Sequence, residues 1–210
     1  MKRLSLIVLL TLTTACTQGE SKEETGLDDT AVQDTAVNDT QAEQDTQVEI
    51  VTSMGTVVIV MAESDAPLTT ANFLQYVDEG FYDGDDGAGG TLFHRVIPGF
   101  MAQGGGLLES GAEKTTRSAI VNESDNGLEN MRGTLAMART NEPNSATSQF
   151  FINVVDNNFL DIDGSYPPGY AVFGEVVSGM DVVDAMVAVS TDGSDRPTSD
   201  IVIQDMERME

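Results

Sequence analysis

The sequence predicts a mostly-β fold, a closed antiparallel barrel capped at its ends by two α-helices. Three observations lead there. From Val48 onward the chain falls into eight short runs of alternating or apolar residues separated by turn-forming ones. Only two stretches carry helical spacing, and many short strands with two helices suit a capped barrel. The 210 residues, 40% of them hydrophobic, suffice for one ordinary domain with a well-buried core.

The elements follow in order. Val48, Ile50 and Thr52 alternate with polar neighbours, Ser53-Met54-Gly55 makes a turn, and residues 56–61 run apolar, which together read as a β-hairpin. Asp65-Ala66-Pro67 opens a helix, with Asp65 or Thr69 as its cap and proline accommodated in the first turn. Ala71, Leu74, Val77 and Phe73 supply its buried stripe, and Gly80 ends it. Strands are expected at 91–97, 100–103, 134–138, 149–154, 171–177 and 201–206, with a second helix at 179–189 before the last of them.

The chain divides into three parts. Residues 1–15 read as a signal peptide: Lys2 and Arg3 precede an apolar run, 4–12, too short to span a bilayer. The run ends in Leu12-Thr13-Thr14-Ala15-Cys16, which resembles the lipobox of bacterial lipoproteins. That resemblance implies that Cys16, the single cysteine, is lipidated and anchors the mature chain to a membrane outside the cytoplasm. Residues 16–47 read as a disordered stalk, with nine acids (Glu20, Glu23, Glu24, Asp28, Asp29, Asp34, Asp39, Glu43 and Asp45) against Lys22 and no aromatic residue. Residues 48–210 form the folded domain. The net charge of −25 excludes a basic face for nucleic acid or for an anionic membrane surface.

Two segments bring a family into view. FHRVIPGFMAQGG at 93–105 and RGTLAMARTNEPNSATSQFFINV at 132–154 resemble the cyclophilin-type peptidyl-prolyl cis–trans isomerases, particularly the bacterial branch. Supporting matches are NFLQYVDEGFY (72–82), NESDNGLEN (122–130) and YAVFGEVVSGMDVVD (170–184), so the likeness spans residues 48–206. It implies an eight-stranded antiparallel barrel with a helix closing each end. It also implies proline-containing polypeptides as substrates and no metal or cofactor; a monomer is expected. The chemistry suits the residues. Rotation about an X–Pro amide breaks no bond, and the prolyl nitrogen regains its lone pair in the twisted transition state. A donor aimed there stabilises that state over the planar one.

Arg95 is the candidate catalytic residue, because guanidinium is permanently charged, rigid and rich in donors. By resemblance Phe100, Met101, Phe151 and Leu160 line the proline pocket, and Gln103 contacts and positions Arg95. Ala138 and Arg139 match the segment whose backbone pairs with an extended peptide, and Gln149 matches a second polar pocket residue. Phe159 and Tyr170 stand where many eukaryotic relatives have tryptophan and histidine, which weakens the case for tight cyclosporin binding but not for isomerisation. His94, the single histidine, is expected on the strand face opposite Arg95 in a structural role. Residues 83–90, three aspartates among glycines, read as a mobile loop, with a calcium site as the weaker alternative. The function expected is isomerisation of X–Pro bonds in exported proteins. A peptide-docking or chaperone module with incidental isomerase activity is the alternative, and a lipoprotein scaffold a third.

Overall fold

The computed structural model describes residues 45–209, so the signal segment, Cys16 and all but the end of the acidic stalk lie outside the described residues. The strands are β1 (Gln47–Thr52), β2 (Gly55–Met61), β3 (Thr91–Ile97), β4 (Met101–Leu108), β5 (Thr134–Met137), β6 (Phe150–Asn153), β7 (Val172–Ser178) and β8 (Ile201–Arg208). Helix α1 spans Pro67–Asp78, α2 spans Met180–Val187, and a single 3₁₀ turn occupies Asn158–Leu160. The strands close a barrel in the order β1-β2-β7-β5-β6-β4-β3-β8, every pair antiparallel. The predicted eight strands and two helices are all present.

Alternation decides what fills the barrel. Val48 and Ile50 of β1, Val57 and Ile59 of β2, Ala102 of β4, Leu135 of β5, and Phe150 and Ile152 of β6 are fully buried in one cluster. The residues between them face outward. Phe73 from α1 enters that cluster beside Tyr82, Phe150 and Phe173, with ring centroids 5.2 to 5.4 Å away. Val183 and Met186 of α2 bury in it as well.

Two local expectations for α1 fail for one reason: the helix is finished by distant parts of the chain. Neither Asp65 nor Thr69 caps it, and the cap position is Ala66. The Glu123 carboxylate does the work instead, accepting the Leu68 and Thr69 amides at 3.0 and 2.7 Å and the Thr69 hydroxyl at 2.7 Å. Ala71 is exposed, and the buried stripe runs through Phe73, Leu74, Tyr76 and Val77, because the barrel lies under that face.

The fourth strand is longer than the predicted 100–103. The Gly104-Gly105-Gly106 run reads locally as a turn, yet β4 continues through it to Leu108. Gly106 shows why glycine sits there: a Cβ would lie 2.4 Å from the Gln149 side chain, which packs across the strand.

The 83–90 segment is wound around an internal cation. The Lys114 ammonium is buried, donates to the carbonyls of Phe81 and Gly89 at 2.6 and 2.7 Å, and bonds Asp86 Oδ1 at 2.9 Å. It also stands 4.7 Å from the centre of the Phe81 ring. Burial would raise the Asp86 carboxyl, but the Ala88 amide and the Lys114 ammonium outweigh it and hold the group below the usual carboxylate range. Asp83 is occupied too, its oxygens accepting the Asp85 and Met206 amides. A loop expected to be mobile is thus tied to the body of the barrel. Asp83 and Asp86 are satisfied by protein donors, and no group of three or more metal-ligating side chains is gathered among the described residues.

Candidate active site

A second, smaller apolar cluster lies on the outside of the barrel, made of Met101, Ala136, Phe151, Leu160 and Val172. Its origin is register. Arg95 of β3 is paired with Gln103 of β4, Gln103 with Phe151 of β6, and Phe151 with Ala136 of β5. These four residues form one row across four strands. The next row, Val96, Ala102, Ile152 and Leu135, is buried inside at 0% exposure. Because side chains alternate, the Arg95 row must face outward.

Arg95 joins that row only because β3 is irregular. Phe93 and Val96 both reach the core, which a regular strand cannot achieve with residues three apart. The register advances by two residues on β3, Phe93 to Arg95, while β4 advances by one, Gly104 to Gln103. The extra residue is His94, and the bulge returns Arg95 to the outer face. The expectation that His94 and Arg95 lie on opposite faces rested on strict alternation, and here alternation is broken. His94 is absent from the pocket lining, and its Nδ1 is buried without a hydrogen-bond partner. Burial, joined by the charges of Arg196 and Arg95, holds its imidazole below the ordinary histidine range, so it is neutral at pH 7.

The pocket over this row holds about 150 Å³ and is lined by Arg95, Phe100, Met101, Gln103, Ala138, Arg139, Phe151, Leu160 and Tyr170. The floor is apolar, two guanidinium groups stand at the edge, and no carboxylate lines it. All the sequence-derived candidates but Gln149, Phe159 and the undescribed Cys16 are brought together here. Gln149 lines the adjoining groove of about 280 Å³. Phe159 lies outside the lining, stacked on Phe100 with centroids 5.7 Å apart and planes at 27°.

Gln103 stands beside Arg95 as its register partner across β3 and β4, and its side-chain amide is also engaged elsewhere. Gln103 donates its amide to Gln149 Oε1 at 2.9 Å, and the Gln149 side chain lies over Gly106. Asp195, which sequence reasoning missed, is the carboxylate beside Arg95, with Oδ2 3.5 Å from Nε. Asp195 is the single non-glycine with positive φ among the described residues, at 62°, and its carbonyl accepts the Val96 amide at 2.9 Å. Asp192 shapes that turn, its Oδ1 accepting the amides of Ser194 and Arg196. A lone Asp-Arg-Pro in a loop carries no local sign of this, since the bond it makes is a hundred residues away.

Behind the pocket a buried chain of amides fixes the wall. Asn157 donates to the Phe100 carbonyl at 3.0 Å and to Asn153 Oδ1 at 2.8 Å, Asn153 bonds Asn130, and Asn130 bonds Asp161 at 2.9 Å. The 122–130 segment therefore serves the pocket from behind, with Asn126 also donating to the Val172 carbonyl.

Comparison with known proteins shows the family and the fold. The family described as cyclophilin type peptidyl-prolyl cis-trans isomerase/CLD matches residues 47–208. Peptidyl-prolyl cis-trans isomerase B of Escherichia coli K12 is 52% identical over 159 residues, which cover 73% of this chain and 93% of that protein. Peptidyl-prolyl cis-trans isomerase A of Dickeya dadantii is 50% identical over 163 residues, 76% of this chain and 82% of its own. Among solved structures, a Cryptosporidium parvum cyclophilin type isomerase, crystallised in the presence of the dipeptide ala-pro, superimposes with a TM-score of 0.64 at 26% identity. It covers 78% of this chain and 99% of its own.

Proposed function

The chain belongs to the cyclophilin-type peptidyl-prolyl cis–trans isomerases and acts on proline-containing polypeptides, and from that premise we propose that Arg95 is its catalytic cation and the adjoining apolar floor its proline site. The observation that carries this reading is the outward row in which the β3 bulge sets Arg95 two strands from Phe151. A prolyl ring seated on Phe151, Met101 and Leu160 brings its nitrogen to the edge where the guanidinium stands. The floor is apolar and carries no carboxylate, so a prolyl ring seated on it shields the inner side of the site from water. There a bond from the donor to the developing lone pair is worth more than in open solvent. Nothing in this scheme moves a proton, which accords with a neutral His94 outside the pocket.

Asp195 acts as a positioning residue, holding the guanidinium from behind. The pair is exposed, 41% and 45% for its side chains, so it contributes at most about 1 kcal/mol. Asp195→Ala should therefore lower kcat/KM by no more than about fivefold. Asp195→Asn, which tolerates the left-handed backbone, should lose less. In an Arg95→Ala background neither change should matter further, and an equal loss in both backgrounds would assign Asp195 a general structural role.

The clients are exported proteins, reached from a lipid anchor at Cys16 through the acidic stalk. Support comes from the Leu12-Thr13-Thr14-Ala15-Cys16 sequence after a short apolar run and from the like charges of 16–47, which favour an extended tether. Native protein should fractionate with membranes, and Cys16→Ser should yield unlipidated precursor or soluble product. Mass spectrometry of the mature N-terminus decides: an unmodified cysteine, or cleavage elsewhere, removes the anchor.

A further inference from the structure

The two sides of the pocket differ in chemistry. One side opens into the groove of Gln149, whose walls are Glu113, Thr116, Thr140 and Ser145. On the other, Phe100 leaves the pocket and stacks on Phe159, and Phe159 meets Tyr166 with centroids 6.2 Å apart. These last two rings are 42% and 53% exposed, an unusual amount of aromatic surface to leave in water beside a binding pocket.

Tyr166 is fixed there by the pocket itself. Arg139 is the one lysine or arginine among the described residues with no carboxylate partner. Its Nη2 donates to the Tyr166 carbonyl at 3.0 Å and its Nε to the Gly169 carbonyl at 2.9 Å, and its guanidinium lies 4.3 Å from the centre of the Tyr170 ring. Asn122 adds a second bond to the Gly169 carbonyl at 3.1 Å. One guanidinium thus lines the pocket and fastens the segment that presents Tyr166.

We propose that Phe159 and Tyr166 form an aromatic ledge that selects an aromatic or branched apolar side chain of the client on one flank of its proline. The ledge is continuous with the proline pocket through Phe100, so a polypeptide seated in the pocket must run along either the ledge or the polar groove on each flank. The ring spacings of 5.7 and 6.2 Å approach the advance of about 7 Å between same-face residues of an extended chain. Successive outward side chains can therefore meet successive rings. On the opposite flank the same side chain would meet carboxylate and hydroxyl groups, which offer it no comparable surface.

The inference rests on the pocket being the proline site, and the experiment separates the two. Two series of proline peptides are assayed with the intact protein, alanine elsewhere, with one phenylalanine placed two to four residues before or after the proline. One series should show kcat/KM raised about three- to tenfold over the all-alanine peptide, and the other should not. Tyr166→Ser should reduce that preference while leaving the all-alanine rate unchanged, and Tyr166→Phe should retain it. No difference between the series, a preference untouched by Tyr166→Ser, or an equal loss on every peptide would overturn the ledge. Arg95→Ala should slow every peptide by one common factor; if it does not, the reading of the pocket fails, independently of the ledge.

Discussion

Arg95→Ala should lower kcat/KM for a proline-containing peptide by about two to three powers of ten, roughly 3–4 kcal/mol, the loss seen when one transition-state donor is removed from an enzyme. The fold should not notice. The Arg95 side chain is 41% exposed, lies outside both apolar clusters, and makes one ion pair, with Asp195. The melting temperature should accordingly stay within about a degree or two of the parent, since exposed pairs contribute little. Arg95→Lys keeps the charge but loses the rigid fork, and should fall between parent and alanine. The parent rate should also be flat between about pH 6 and 8, because guanidinium does not titrate there and the single histidine lies outside the pocket. A folded Arg95→Ala protein that kept most of its activity would sink the mechanism.

Lys114→Met should act in the opposite way, on the fold and not on the chemistry. Methionine fills much of the same space but cannot donate, so the carbonyls of Phe81 and Gly89 and the Asp86 carboxylate lose the cation around which they are arranged. With the Lys114 side chain 3% exposed and Asp86 26%, breaking the pair should cost about 3 kcal/mol, near the lower end for a buried pair. For a domain of this size that is a fall of about 6–12 °C in melting temperature. Activity per folded molecule, measured well below the transition on a short proline peptide, should stay within about twofold, because Lys114 lies outside the proline pocket and its side chain is almost wholly buried beneath the adjoining groove. Thermal denaturation of the two proteins side by side checks it, and an unchanged melting temperature would show that the loop stands without its cation.

Much was legible along the chain by itself. Alternation in β1 and β2 marks which residues enter the barrel, since side-chain direction in a regular strand follows from position alone. The apolar pocket residues and Arg95 were legible as well, through the resemblance of the chain's motifs to the cyclophilin family, and not from residue type alone, which for Phe100, Met101, Phe151 or Leu160 reads as ordinary core. What the tertiary structure alone decided is which way Arg95 points, what stands behind it, what caps α1 and what holds the 83–90 loop. The β3 bulge at His94 exists only against β4, Asp195 reaches β3 from the loop before β8, Glu123 caps a helix more than fifty residues earlier, and Lys114 enters a loop some thirty residues away. None of these has a local signal. Each depends on register or on a buried donor finding its acceptor, and those are settled when the barrel closes and unpaired polar groups would otherwise be left without water.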